Sequence, residues 1–313
     1  MSQGCNKYAA VVAVILASGC SSSSTPISQG STTTTRVAET TTTKVVMQDQ
    51  RPFSVGLVVN TFVDTRRTTG MPGDPWYAPN RTLVTDVRYP KGDGRHPLVI
   101  LAHGNDGNPA KFSELLAKWA QAGYIAAAPR FPSTTDRPET YNFADYVNQP
   151  ADVSFVIGQL LTSELKDRID ADRIGVAGLS LGGGTVYGLA YNPCCFDARI
   201  KSAIVFDGFR FPFDTEFTVN SIPVIIFHGD ADPVLPYAQA KKSYEQSAQP
   251  KWFVTLVGGS HSAAFEDAPS PHDDIVEQVT VDFWDLTLLN DRGGAALIEQ
   301  HGSVPKLATV ESE

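Results

Sequence analysis

Short hydrophobic runs alternate with helix-length amphipathic segments along most of the chain. Largely apolar runs of five to seven residues occupy 97–102, which is continuously apolar, and 124–129, 200–206, 224–228 and 252–257, the last of which is the final predicted strand. Continuous runs of this kind are typical of strands that are buried on both faces of a parallel sheet. Because helical segments separate them, we predict an α/β fold with a mostly parallel central sheet and helices on both faces.

Apolar residues that recur at helical spacing predict the helices between these runs. The predicted helices cover 109–122, 151–161, the segment from Ser180 to about Tyr191, 236–247 and 273–289. Alternating patterns predict two earlier strands, at 53–63 and 83–90. We expect residues 131–150 to form a loop over the site, and the tail after Asn290 to be peripheral.

The composition is that of an ordinary globular protein, with 313 residues, 42% hydrophobic and 19% charged. A net charge of −9 without any cluster of Lys and Arg argues against a nucleic-acid-binding surface. The His and Cys residues do not show the spacing of metal ligands, so we expect neither a metal nor a cofactor. The sequence does not indicate an oligomeric state.

The first 47 residues differ from the rest. Lys7 precedes an apolar run at 8–17, which is too short to span a bilayer comfortably and is typical of a secretion signal. The residues before Cys20 resemble the lipobox of bacterial lipoproteins, although Ala17 stands where that box usually has leucine. We predict a signal peptide at 1–20 with Cys20 as lipid anchor; the alternative is an ordinary signal peptide in which Cys20 is incidental.

Residues 21–47 are predicted to be a disordered tether, because a segment rich in Ser and Thr has too little apolar surface to offset its ordering entropy. One domain would then cover 48–313 and lie outside the cytoplasm, held at the membrane of the cell envelope. If the lipobox is not used, the protein would be secreted.

The candidate chemistry centres on Ser180. Gly178, Ser180 and Gly182 form the pattern G-x-S-x-G between an apolar strand and a predicted helix. Small residues on both sides let the strand and helix pass closely, which leaves the serine hydroxyl at the apex of the turn. The alternative is an ordinary glycine-rich turn without chemistry.

A serine nucleophile needs a base, and the chain has six histidines. We favour His261, which follows the last predicted strand, with His272 in reserve; His96 is predicted in a turn. The base in turn needs an acid. Asp232 and Asp207 both follow strands, and we favour Asp232 because prolines stiffen its turn, whereas Asp230 suits a turn-capping role.

The oxyanion of an acyl-transfer reaction needs two backbone N–H donors. Leu181, the residue after the nucleophile, would supply one. Asn105, in the loop that follows His103-Gly104, would supply the other. The alternative for His103-Gly104 is a simple turn at the end of a strand.

Four motifs in this order resemble the α/β-hydrolase superfamily: His103-Gly104, then 178–182, 229–233 and 259–261. Within it, the chain resembles dienelactone-hydrolase-like serine esterases, platelet-activating-factor acetylhydrolases and cutinases. True dienelactone hydrolases use cysteine, so Ser180 departs from them. Asp207 matches the acid of the acetylhydrolases, and Asp232 matches that of the polyester hydrolases.

The resemblance implies an α/β-hydrolase fold and hydrolysis of a small ester through an acyl-enzyme. The alternatives are a catalytically silent surface binding protein and a thioesterase or peptidase on the same fold. Cys194 and Cys195 are expected as two thiols, with a vicinal disulfide as the alternative. Phe209, Phe211 and Leu181 would line an apolar pocket, or else contribute only to packing.

Overall fold

A nine-stranded sheet organises the part of the chain that the computed structural model describes, residues 51–211, 213 and 222–313. The predicted signal peptide, Cys20 and the tether lie outside these residues. The strands are β1 (Val55–Asp64), β2 (Arg81–Pro90), β3 (His96–Ala102), β4 (Ile125–Arg130), β5 (Ile169–Leu179), β6 (Ile200–Phe206), β7 (Val224–Gly229), β8 (Lys251–Leu256) and β9 (Ala308–Ser312).

The strand order is β1-β2-β4-β3-β5-β6-β7-β8-β9. From β4 to β8 all neighbours are parallel, whereas β1, β2 and β9 join the two edges antiparallel. Every residue of β3, β7 and β8 is buried, as continuous apolar strands in a covered sheet should be. The carboxyl ends of the parallel strands therefore meet at one edge, where ligands of such sheets usually bind.

Within the described residues, six α-helices cover the two faces of the sheet: α1 (Ser113–Gln121), α2 (Gln149–Leu160), α3 (Leu181–Tyr191), α4 (Tyr237–Gln246), α5 (Asp273–Leu288) and α6 (Gly294–Gly302). The core on one face includes Trp119 of α1 and Trp284 of α5, whose rings meet edge to face. The core on the other face includes Ile157 of α2, Tyr187 of α3 and Tyr244 of α4. This arrangement confirms the α/β-hydrolase fold.

The end of the chain corrects the sequence interpretation. The predicted last strand is followed by α6 and by β9, which pairs antiparallel with β8, so the tail belongs to the sheet. These elements escaped detection because they bury few apolar side chains: Ile298 is the apolar side chain that α6 fully buries, and β9 is five residues long.

His96 is a second correction. It was predicted in a turn, but it is the first residue of β3 and is buried. Its Nδ1–H donates to the carbonyl of Gly123 at 2.9 Å, and burial lowers the pKa of the ring. A polar residue that follows Gly94-Arg95 and precedes Pro97 has the sequence pattern of a turn, and only the partner carbonyl explains its burial.

The segment 131–150, which follows β4, contains two short 3-10 helices, Pro138–Thr140 and Phe143–Asn148. A buried ionic cluster fixes the second of them. The guanidinium of Arg81, on β2, makes two hydrogen bonds of 2.9 Å to Asp145 and two of 2.8 and 2.6 Å to Asp152. Arg67 adds a second positive charge, 2.8 Å from Asp152. None of the described helices has the length and apolar character needed to cross a membrane.

Arg81→Met is expected to lower the free energy of unfolding by about 3–5 kcal/mol, because it leaves two buried carboxylates without their shared partner. Lys118→Met is the matched control. Lys118 pairs with Glu277 at 3.2 Å on the surface, and its loss should cost less than about 1 kcal/mol. Urea unfolding of both variants measures the difference, and equal losses would contradict the prediction.

Candidate active site

Ser180 occupies the turn between β5 and α3, with φ at 56° in the left-handed region. Crowding around the turn explains the glycines. A Cβ at position 182 would lie 1.9 Å from the carbonyl oxygen of Ala102, and one at position 178 would lie 2.2 Å from that of Gly182. Only glycine fits at either position, so α3 and β5 approach each other closely and Ser180 stands at the apex.

The turn is held at the end of the neighbouring strand. The Ser180 N–H donates to the carbonyl of Phe206, the last residue of β6, at 3.0 Å. The Ser180 carbonyl accepts from the Gly184 N–H at 3.1 Å. Leu181 is the first residue of α3, so its N–H has no acceptor within the helix. The positive end of the helix dipole also lies there, which favours a developing negative charge.

The loop after β3 passes beside the serine. A Cβ at Gly104 would lie 3.2 Å from that of Ser180, so the backbone comes close at this point. The next residue, Asn105, is exposed, and its Oδ1 accepts from the Tyr141 hydroxyl at 3.1 Å. Tyr141 belongs to the segment 131–150, so this segment does reach the loop that carries Asn105.

His261 and Asp232 form a hydrogen-bonded pair. His261 Nδ1 lies 2.7 Å from Asp232 Oδ2, and the Asp232 side chain is shielded from solvent. The other carboxylate oxygen, Oδ1, accepts from the N–H groups of Val234 and Leu235 at 2.6 and 3.0 Å. These bonds stabilise the ionised carboxylate, and a proton on Nδ1 leaves Nε2 of His261 as the basic nitrogen.

Backbone contacts bring the loops after β7 and β8 together. The Asp230 N–H donates to Leu256 at 3.1 Å, and the Ala231 N–H donates to Gly259 at 3.2 Å. Asp230 Oδ1 in turn accepts from the Gly258 N–H at 2.6 Å, which is the turn-capping role predicted for it. His261 and Asp232 therefore lie on two loops that are bonded to each other.

Asp207 lies at the end of β6, between the loops of Ser180 and Asp232. It is fully buried, and its Oδ1 accepts from the Gly229 N–H at 3.0 Å. Burial, together with the nearby charge of Asp232, raises the pKa of Asp207 to about 9. A raised pKa favours the protonated form of this carboxyl group, and a neutral acid stabilises an imidazolium less well than a carboxylate does.

His103 and the reserve base His272 make contacts that hold the local backbone. His103 is buried, its Nε2 accepts from the Phe131 N–H at 3.1 Å, and its Nδ1–H donates to Gly104 at 2.7 Å. Burial lowers the pKa of His103 to about 4, so the ring stays neutral. His272, the reserve base, lies before α5, and its Nε2 is 3.1 Å from the carbonyl of Val257.

The carboxylate and ring atoms of Asp207, Asp232 and His261 lie within 4.8 Å of one another, which raises the question of a metal site. Their bonds indicate acid–base chemistry instead. His261 Nδ1 is engaged with Asp232, and metal ligands must be deprotonated, whereas burial favours the protonated form of Asp207.

The aromatic cluster beside Leu181 contains Phe209, which was predicted from the sequence, together with Tyr146 and Phe213, which were not. Tyr146 and Phe213 pack against Leu181, and the centroids of the Tyr146 and Phe213 rings are 5.8 Å apart. Phe209 packs onto the same cluster. Phe211 is exposed, although its carbonyl accepts from the Tyr146 hydroxyl. The aromatic richness of 131–150 was the available signal for Tyr146, but no periodicity links it to partners more than 60 residues later.

The two cysteines after α3 correct the favoured expectation. Cys194 and Cys195 are joined by a disulfide rather than left as thiols. Cys195 also packs against the aromatic cluster beside Leu181.

Residues 86–281 match the family model described as PET hydrolase-like. This match covers more than half of the chain and includes Ser180, Asp232 and His261. The chain belongs to the PET hydrolase-like family. The family identity agrees with the parallel sheet and with a serine at the turn after β5.

Named relatives of this PET hydrolase-like chain include cutinases. Cutinase 1 of Thermobifida cellulosilytica is 26% identical over 180 residues, which cover 56% of this chain and 64% of that protein. A cutinase of Thermobifida fusca (strain YX) is 26% identical over 180 residues, covering 56% of each. An uncharacterized protein of Escherichia coli (strain K12) is 35% identical over 66 residues, 21% of this chain and 22% of that protein. The chain thus spans less than two thirds of the length of each of these relatives.

Gly182→Ala is expected to lower the free energy of unfolding by more than about 3 kcal/mol, because the new methyl group meets a backbone carbonyl that cannot move aside. The control is Gly158→Ala in α2, where the nearest atom to the new Cβ is 3.7 Å away. At that position alanine should raise the free energy of unfolding by up to about 1 kcal/mol, because alanine favours a helix interior more than glycine does. Thermal unfolding measures both, and a Gly182→Ala variant as stable as the control would contradict the account of the turn.

Proposed function

We propose that this protein is a serine carboxylic-ester hydrolase with Ser180, His261 and Asp232 as its triad. The observation that carries the proposal is the 2.7 Å contact between His261 Nδ1 and buried Asp232. The loops of this pair follow strands that are near neighbours of the one that ends at Ser180. The family and the cutinase relatives support the same reaction class.

In the proposed reaction, Ser180 Oγ attacks the ester carbonyl carbon while His261 Nε2 takes the hydroxyl proton. The N–H groups of Leu181 and Asn105 hold the oxyanion of the tetrahedral intermediate. As the intermediate collapses, the C–O bond to the alcohol breaks, and His261 returns the proton to the leaving oxygen. Water, activated by His261, then hydrolyses the acyl-enzyme by the same steps and regenerates Ser180.

The proposed substrate is a small ester with an apolar acyl part. Leu181 lies beside the aromatic side chains of Tyr146, Phe209 and Phe213, which supply apolar surface next to the serine. Cys20, as the proposed lipid anchor, would hold the enzyme at the membrane. The active-site geometry does not depend on that anchor, and radiolabelled fatty-acid incorporation into the wild type but not Cys20→Ala tests it.

Ser180→Ala is expected to lower kcat for a p-nitrophenyl ester of a short fatty acid by at least about 10⁴-fold, because no other group can form the acyl-enzyme. A fluorophosphonate probe should label the wild type and not the variant. Ser312→Ala, on β9 at the sheet edge, is the control and should retain full activity. Ester hydrolysis at the wild-type rate by Ser180→Ala would exclude this mechanism, and an unlabelled, inactive wild type would instead indicate a silent binding protein.

Asp232→Asn is expected to reduce kcat by about 10³- to 10⁴-fold with little change in KM, because an amide cannot stabilise the imidazolium of His261. Asp230→Asn is the matched control two residues earlier. An asparagine there can still accept the Gly258 N–H, so activity should stay close to that of the wild type. Steady-state kinetics of the two variants test the assignment, and it fails if the variants are equally active.

A further inference from the structure

A second buried acid–histidine pair lies directly behind the proposed triad acid. Asp207 Oδ1 is 3.1 Å from Nδ1 of His228, the penultimate residue of β7, and both side chains are almost completely buried. On the other side of the ring, His228 Nε2 lies 3.1 Å from the Leu235 carbonyl and 3.6 Å from Asp232 Oδ2. The proposed mechanism uses neither Asp207 nor His228.

The carbonyl of Leu235 fixes the tautomer of His228. A carbonyl can only accept, so the proton of the ring must be on Nε2. Burial lowers the pKa of His228, so the ring is neutral and its Nδ1 carries a lone pair. Among the described residues, this buried Nδ1 has no hydrogen-bond partner unless Asp207 supplies a proton.

The charges around Asp207 also favour a proton on its carboxyl group. The titratable groups that face it are Asp232, His261 and His228. Asp232 already has two backbone N–H donors and His261 to stabilise its negative charge, whereas Asp207 has the Gly229 N–H. Two carboxylates in such proximity cannot both be ionised without a large penalty, so the proton belongs on the less stabilised one.

We propose that Asp207 is a protonated acid whose Oδ1–H donates to His228 Nδ1, and that His228 thereby positions Asp232. A hydroxyl oxygen at Oδ1 can donate to His228 and still accept from the Gly229 N–H. The Nε2–H of His228 then faces both the Leu235 carbonyl and Asp232 Oδ2. Since the Leu235 N–H also bonds to Asp232, the turn that carries the acid is held from two sides. The positioning role rests on the proposed function; the protonation state does not.

Infrared spectroscopy tests the protonation state without any substrate. At pH 7 the wild type should show a carboxylic-acid carbonyl band that is missing from Asp207→Asn, and the band should fade as the pH rises through about 9. Asp267→Asn, which alters a carboxylate outside this pair, is the control and should keep the band. If the wild-type and Asp207→Asn spectra are identical in this region at pH 7, Asp207 is ionised and the proposal is wrong.

The pH dependence of stability provides a second test. Because the folded-state pKa of Asp207 is raised above its unfolded value, the folded state retains a proton that the unfolded chain loses above about pH 4. The wild type therefore loses stability relative to Asp207→Asn as the pH rises from 4 towards 9. The difference in Tm, Asn variant minus wild type, should widen by at least about 5 °C between pH 5 and pH 8. A difference that stays constant or narrows would overturn the proposal.

The positioning role is tested by two substitutions of His228. His228→Gln retains a donor at about the reach of Nε2, whereas His228→Leu has none. We expect His228→Leu to lower kcat by roughly 10- to 100-fold with unchanged KM, and His228→Gln to recover most of that loss. Equal losses of kcat in the two variants, or an unchanged kcat in His228→Leu, would overturn the proposal that His228 positions Asp232. A wild type without esterase activity would instead refute the proposed function, and the infrared and stability tests would still decide the protonation of Asp207.

Discussion

The carbonyl of Ala102 lies so near to α3 that a Cβ at position 182 would come within 1.9 Å of it, and the site depends on this close approach. It lets α3 begin directly above the central strands, with its N-terminus at the carboxyl end of β5. Ser180 is then held beside the end of β6 by its own N–H. Any side chain at position 182 would move the helix, and with it both the serine and the N–H of Leu181.

The two aspartates of the cluster have different surroundings, which is why different roles are proposed for them. Asp232 receives two backbone N–H groups and a histidine, so its negative charge is stabilised. Asp207 is buried and accepts a hydrogen bond from the Gly229 N–H, and burial raises its pKa to about 9. In the proposed site, this difference in environment lets neighbouring carboxyl groups act as a carboxylate and as a neutral donor at the same pH.

Much of the sheet could be predicted from the sequence, because strands such as β3 and β7 are continuous apolar runs and need no information about their partners. The pattern around Ser180 and the loops of Asp232 and His261 could be predicted because parallel strands end at one edge. His96 and β9 could not, since their burial depends on Gly123 and on β8, which lie far away in the sequence. For Asp207 and Asp232, the prolines after Asp232 were the local signal, whereas the burial of each carboxyl group and the backbone N–H groups near it could not be predicted from the sequence.

The ionic cluster of Arg81 has a consequence for how substrates enter. The 3-10 helix that contains Asp145 and Tyr146 is bonded to Arg81 on β2, and the same guanidinium holds Asp152 at the start of α2. The backbone of this 3-10 helix cannot move away from the sheet without exposing the buried charges or separating them. Among the described residues, the backbone around Asp145 is therefore expected to stay in place. In the proposed enzyme, adaptation to different esters would rely on the rotation of exposed side chains such as Tyr141 rather than on movement of this backbone.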